Sequence, residues 1–355
     1  MKLGISKDGK DVRISRNSMN RHISVFGMPG SGKTIRTNEI KTDAVKQGKT
    51  VVELYFEREL PETDSTMVNV IDVVKDGVNM QLLDTRSIDE KKETEVTFVS
   101  YLIDLLSGQE NLGCRQMGAL REALLYAIKH RGNYETDLQA IKDGLENQKS
   151  VGAKGAFNKL WSLLCSDVFR ESGKSIKPGC LNVFVLGSLA PSAQTTMTEL
   201  ILGTIWRQAR LTGKSPNEVL IVLDEVQRLK TNKNSVIAEM LREARQYHIT
   251  LLLATQSAEA LNKDFLKAVH ESAISLYFRP KDSEIKKIAE MIDCQQVERY
   301  TLMLKKLRKG QSIVTGQVAI GGYENDKPII IKSEYGSNRA PILNPQQVLT
   351  DKKSV

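Results

Sequence analysis

The stretch Gly27-Met28-Pro29-Gly30-Ser31-Gly32-Lys33-Thr34 constrains this chain more than any other. Its spacing, G-x-x-x-x-G-K-[ST], is the Walker A pattern of phosphate-binding loops in nucleoside triphosphatases. Gly27, Gly30 and Gly32 let the backbone take positive φ, so that successive N–H groups turn inward toward phosphate oxygens. Lys33 brings a point charge to the β- and γ-phosphates, and the Thr34 hydroxyl is placed for Mg²⁺. Pro29, Ser31 and Ile35 complete the expected nucleotide contacts. The flanks agree with this reading. His22-Ile-Ser-Val-Phe26 reads as a strand and Thr34 to Gln47 as a helix, so a bound anion would sit at a helix N-terminus.

The rest of the chain supplies an α/β setting for such a loop. Residues 2–16 alternate weakly around Lys7-Asp8-Gly9-Lys10, a hairpin signal. Thr50 to Phe56 is the next strand, giving an opening βαβ unit. After a short apolar piece at Met67 to Val74 the texture turns helical. Val96, Val99, Leu102, Ile103 and Leu106 recur at helical spacing, as do Met117, Leu120, Leu124 and Ile128. Further helices are expected around Asp137–Asn147 and Phe157–Phe169. Strands then resume at Leu181–Leu186, Glu218–Glu225, Ile249–Gln256 and Ala273–Phe278. The near-continuous apolar run before Asp224 is that of a strand buried on both faces of a parallel sheet. Helices at Thr195–Arg210, Val236–Tyr247, 282–292 and 295–308 separate or follow these strands, and Gly310–Lys332 reads as closing antiparallel strands.

The expected fold is therefore α/β: a mostly parallel sheet flanked by helices, with an all-α insertion and C-terminal antiparallel strands. The expected divisions are 1–60, the hairpin and first part of the core with the phosphate loop; 61–178, a mainly helical insertion; 179–335, the remainder of the core; and 336–355, an extended tail.

Composition narrows the class. An apolar share of 40% and a charged share of 26% are ordinary for a soluble protein. No apolar run approaches the roughly 20 residues of a membrane span, and the N-terminus lacks the apolar centre of a signal peptide. Cys114, Cys165, Cys180 and Cys294 have no metal or disulfide spacing, so reduced thiols in a cytoplasmic protein are expected. The net charge of +8 is uneven: residues 1–50 carry eleven Lys/Arg against four acids. Such an excess suits a phosphate-rich partner, and equally a solvated basic face.

Three further elements carry chemistry. Asp224-Glu225 ends an apolar strand, where Asp224 can hold the Mg²⁺ shell and Glu225 can polarise the water that attacks the γ-phosphate, a Walker B arrangement. Gln256 ends the next strand, where it can touch the γ-phosphate or that water; the alternative is a structural hydrogen bond. Between them, Val236, Ile237, Met240, Leu241 and Ala244 face the core, leaving Arg242 and Arg245 on the opposite face. An outward arginine near the nucleotide edge of the sheet would reach a neighbouring subunit's γ-phosphate as an arginine finger in trans; a solvated helix face is the alternative.

Together, Gly27–Thr34, Leu220–Glu225 and Leu241–Gln256 resemble the HerA/FtsK superfamily, which includes HerA translocases, FtsK, and the coupling and assembly ATPases of type IV secretion. Val183–Ala209, Leu307–Gly316 and the helical insertion match its HerA-like branch. The resemblance implies a RecA-like core, a homohexameric ring, ATP and Mg²⁺ as cofactors, hydrolysis between subunits, and duplex DNA or a protein–DNA substrate in the channel. It also implies that Lys33, Thr34, Asp224, Glu225 and Gln256 act in cis and Arg245 in trans, with Arg279 and Arg21 as weaker candidates of the same kind. The chain departs from the pattern in three places. Only about twenty residues precede the loop strand, leaving no room for the N-terminal β-barrel of HerA proteins. The N-terminal membrane helices of coupling proteins are absent, and Glu57-Arg58-Glu59 stands where relatives often place an Asp.

The expected function is an ATP-hydrolysing hexameric motor that translocates or remodels DNA, with a partner such as a nuclease. One alternative is a coupling or assembly ATPase of a conjugation or type IV secretion system. The other is a nucleotide-gated scaffold ring for a defence effector.

Overall fold

The computed structural model describes residues 1–18, 20–57, 66–90, 93–107, 111–213, 217–229, 235–270 and 273–334. The expected tail at 336–355 and Arg58-Glu59 lie outside them. The chain opens with the hairpin β1 (Lys2–Ser6) and β2 (Asp11–Ile14), then β3 (Ile23–Phe26), α1 (Lys33–Lys46) and β4 (Thr50–Tyr55). Next come β5 (Val68–Asp72), the short α2 (Arg86–Asp89), and the helices α3 (Glu95–Ser107), α4 (Cys114–His130), α5 (Asp137–Glu146) and α6 (Val151–Leu164). The core resumes with β6 (Leu181–Val185), α7 (Pro191–Thr212), β7 (Val219–Leu223), α8 (Val236–Glu243) and β8 (Ile249–Thr255). It continues through α9 (Lys263–His270), β9 (Ile274–Tyr277), α10 (Ile285–Ile292) and α11 (Val297–Lys306), and closes with β10 (Gln311–Gly316), β11 (Val318–Ile320), β12 (Tyr323–Asn325) and β13 (Ile329–Lys332).

All described strands join one sheet, in the order β12-β11-β2-β1-β13-β10-β9-β3-β8-β7-β4-β6-β5. From β9 to β5 every pairing is parallel, and from β9 outward through β10 to β12 every pairing is antiparallel. Strand β5 lies inside the stretch 61–178 but belongs to this sheet as its edge, so the helical part starts only after it. Successive residues of the parallel strands feed two cores. Ile221 and Leu223 of β7, with Leu251 and Leu253 of β8, face the helices α3 to α9. Leu220, Val222, Leu252 and Ala254 face the side covered by Ile40, Ala44 and Val45 of α1.

Local chemistry sets where the helices begin. Helix α6 starts at Val151 rather than near Phe157, because the Ser150 hydroxyl accepts from the Ala153 N–H at 3.0 Å. A Cβ on Gly152 would meet the Arg115 backbone at 2.5 Å, so this glycine lets α6 lie close against α4. The helix expected over Val236–Tyr247 is α-helical only to Glu243. Ala244–Tyr247 tightens into a 3-10 turn, and His248 takes φ 60° to redirect the chain into β8. Helix α9, not anticipated from the sequence, buries Phe265 and Val269 in the core and packs Leu266 and Ala268 partly against it.

Candidate nucleotide site

Strands β3, β7 and β8 are adjacent and parallel, so the segments that follow them meet at one edge of the sheet. That edge carries the phosphate loop, Asp224-Glu225 and Gln256. In an open parallel sheet, the carboxyl ends of the strands are where ligands bind.

The loop is built to receive an anion. Gly27, Gly30 and Gly32 all have positive φ. Helix α1 has no side-chain cap and no acid in its first turn, so its N-terminal N–H groups remain for a ligand. Lys33 Nζ donates to the carbonyls of Gly27 at 2.6 Å and Met28 at 3.1 Å, folding over the loop. The Ser31 hydroxyl is buried without a hydrogen-bond partner among the described residues, as expected of a group awaiting a phosphate oxygen. Thr34 is exposed.

The loop is held from behind. Gly32 stands against the turn that ends in Gly310: a Cβ there would meet the Gly310 nitrogen at 2.7 Å. The Gly310 N–H donates to the Ser31 carbonyl at 2.8 Å. Arg36, wholly buried in α1, donates to the carbonyls of Leu3 and, at 3.1 Å, Gly310, and pairs with Glu39 at 3.1 Å. Burial lowers its guanidinium to about 10 against the pull of Glu39. Gly4 has no Cβ to obstruct that guanidinium. The Gly310 turn lies in Leu307–Gly316, a segment already marked by the resemblance, whereas Arg36 belongs to no recognised short motif. A helix-interior arginine flanked by apolar periodicity was the available signal.

Burial, and then the charge of Glu225, push the Asp224 carboxyl above the usual carboxylate range, opposed by the Glu225 N–H (3.0 Å to Asp224 Oδ1) and by Lys33. Burial lowers Lys33, while Asp224 and Glu225 draw it back up. Glu225 itself sits at φ 58°, a conformation costly for a residue with a side chain. Its carboxylate accepts from Gln256 Nε2 on one oxygen and from Gln227 Nε2 on the other. Gln256 is thus brought to Glu225, and Gln227 is a site residue that the sequence reading missed.

The arginines divide between two edges. Arg245 lies within the turn before β8, and Arg21 precedes β3, so both lie at the amino ends of the strands, opposite the loop. The expectation of Arg245 near the nucleotide edge is corrected accordingly: β8 runs toward that edge and its preceding helix ends away from it. Arg21 pairs with Glu218 at 2.9 Å, and Arg242 is exposed on α8. A cavity of about 260 Å³ there is lined by Arg21, Glu218, Arg245 and His248. A neighbouring one of about 580 Å³ is lined by Arg13, Arg16, Arg21, Lys49 and Glu218, so much of the N-terminal basic excess gathers at this edge. Arg279 is instead on the nucleotide edge, where its carbonyl accepts from the Met28 N–H at 3.0 Å.

Among the described residues no cluster of three or more His, Cys, Asp or Glu side chains could hold a metal alone. One hydroxyl, Thr34, and one carboxylate, Asp224, suit Mg²⁺, which keeps waters and takes its remaining ligands from phosphates. No helix among the described residues is long and apolar enough to cross a membrane.

Neither protein-family models nor curated protein sequences gave a match to this chain. Solved structures did. VirB4 of Thermoanaerobacter pseudethanolicus superposes with a TM-score of 0.70 at 16% identity, covering 97% of each chain. The bacterial conjugative coupling protein TrwBΔN70 superposes at 0.64 with 14% identity, over 96% of this chain and 91% of its own. The fold is that of VirB4 and TrwB. A structure of the plasmid coupling protein TrwB in complex with ADP and Mg²⁺ superposes at 0.61, with 15% identity, over 92% of this chain and 89% of that one. The VirB4 and TrwB fold is the α/β core expected from the sequence, closing antiparallel strands included, and it agrees with the resemblance to the HerA/FtsK superfamily.

Proposed function

We propose that this chain is an ATP- and Mg²⁺-dependent hydrolase that works as a ring, translocating or remodelling DNA or a protein–DNA substrate with each turnover. The observation that carries the reading is the convergence of Lys33, Asp224, Glu225 and Gln256 at the ends of three adjacent parallel strands. In this reading the loop N–H groups and Lys33 hold the β- and γ-phosphates, and Thr34 and Asp224 hold Mg²⁺, which supplies charge neutralisation when bound. Glu225 takes a proton from a water. The water oxygen bonds to the γ-phosphorus, the bond to the β,γ-bridging oxygen breaks, and ADP leaves with the electron pair.

The position of Arg245 supports assembly. At the edge remote from its own loop, it is available only to another molecule's nucleotide, which suits a head-to-tail ring. Ring size six, a nuclease partner and a cytoplasmic setting belong to the same proposal through the superfamily resemblance. The near full-length likeness to VirB4 and TrwB favours, as a second reading, a coupling or assembly ATPase of a conjugation or secretion system.

The test is ATP turnover with and without duplex DNA, at low and moderate salt, with Glu225→Gln as the blank. Stimulation that salt removes and the blank lacks supports a motor on DNA. Turnover indifferent to DNA moves the reading to a protein substrate, and no turnover above the blank overturns it.

A further inference from the structure

Glu225 is held from two sides, and the two amides that hold it are not equivalent. Gln227 lies in the 3-10 turn Val226–Arg228, directly after Glu225. Its Nε2 donates to one carboxylate oxygen of Glu225, while its Oε1 accepts from the Thr255 hydroxyl at 2.8 Å. An ionised carboxylate only accepts hydrogen bonds, so the amide nitrogen must face Glu225 and the amide oxygen must face Thr255. Thr255 is 2% exposed and ends β8, which is buried along its whole length. Gln227 is therefore anchored to a rigid strand. Gln256, the next residue along, donates to the other oxygen of Glu225 from the start of the segment after β8.

We infer that Gln227 is a positioning residue for Glu225, fixing one carboxylate oxygen so that the other meets the attacking water once Gln256 turns to the nucleotide. This rests on the reading of Glu225 as the group that polarises that water. Each carboxylate oxygen has two lone pairs, so the water competes with Gln256 for position on one oxygen; with Gln256 withdrawn, Gln227 alone keeps the rotamer and that oxygen is clear. The hold also matters because Glu225 sits at φ 58°, where the backbone by itself favours relaxation away from the site. No nucleotide contact is asked of Gln227, so its loss acts on turnover and leaves binding alone.

The experiment compares Gln227→Ala, Thr255→Val and Glu225→Gln for ATP affinity, by equilibrium binding, and for single-turnover hydrolysis. Thr255→Val keeps shape and opens no space; because it also removes the hydroxyl's bonds to the Ser257 carbonyl (3.0 Å) and N–H (3.2 Å), it is read beside Gln227→Ala, which leaves them in place. Both Gln227→Ala and Thr255→Val are expected to slow hydrolysis by about tenfold or more with ATP affinity unchanged within about twofold. Added to Glu225→Gln, Gln227→Ala is expected to cause no further loss, because nothing remains to position. Hydrolysis within twofold of wild type in both variants overturns the proposal, as does a loss of ATP affinity equal to the loss in rate. An added loss in the Glu225→Gln background assigns Gln227 a role apart from Glu225 and also overturns it. If Glu225→Gln alone hydrolyses normally, the reading of Glu225 fails and this proposal fails with it; a dead Glu225→Gln beside a normal Gln227→Ala sinks the proposal and leaves the reading standing.

Discussion

Arg245 and Gln256 stand at opposite ends of the same strand. β8 separates them by seven buried residues, roughly 20 Å of extended chain, with Gln256 beside Glu225 and Arg245 beside Arg21 and Glu218. Within one subunit these two residues therefore cannot meet at a single nucleotide.

Asp224 is placed for metal at a cost in stability. Its raised carboxyl is protonated in the folded chain at pH values where the unfolded chain has already ionised. Stability thus falls as pH rises from the ordinary carboxyl value of 3.8 through the raised folded value. Without nucleotide or Mg²⁺, Asp224→Asn is expected to melt higher than wild type at pH 7 while losing at least about a hundredfold in turnover. Thermal melts and turnover on the same preparation check this. A variant that melts lower than wild type contradicts it.

His22, 1% exposed at the start of β3, titrates in the other direction. Its Nδ1 accepts from the Leu251 N–H at 3.0 Å, and burial, with Arg245 nearby, lowers its pKa from 6.5 to about 4. Between those values the unfolded chain binds a proton that the folded chain does not. Its contribution is complete above 6.5 and is lost as pH falls toward 4, on the order of 3 kcal/mol in all. Urea unfolding across that range should show the loss in wild type. His22→Asn, which keeps an acceptor for Leu251 and cannot protonate, should lack that component.

Arg36 joins the phosphate-loop helix to β1 and to the Gly310 turn. Arg36→Met removes the side-chain donor to the Leu3 carbonyl, one of two donors to the Gly310 carbonyl (the Ser333 N–H remains) and the charge paired with Glu39, which keeps the Ser333 hydroxyl and the Glu334 N–H, at a cost of about 3 kcal/mol. The urea midpoint is expected to fall, and ATP affinity with it, because Gly310 packs directly on Gly32. Unchanged affinity in a destabilised variant would separate the tether from the loop.

Much of this was legible in the sequence because it is local. The loop signature, the apolar run before Asp224 and the strand ending at Gln256 each place a residue at a strand end, and parallel strands carry such ends to one edge. Gln227 was invisible because nothing in Glu225-Val-Gln227 marks a turn that folds the amide back; the contact depends on Thr255, 28 residues away. Arg245 was placed near the wrong edge because helical spacing gives a face and not a position along the strand that follows. Arg36 reads as a solvated helix charge until β1 and the Gly310 turn are seen to enclose it.

The claim that one nucleotide site is completed by two subunits is tested most directly by mixing Lys33→Ala with Arg245→Ala. Each variant alone is expected to be inactive, the first lacking its phosphate lysine and the second its trans arginine. At equal mixing about one interface in four joins an intact loop to an intact arginine, so turnover should recover to about a quarter of wild type. Turnover that stays at the level of the two inactive parents would contradict the shared site.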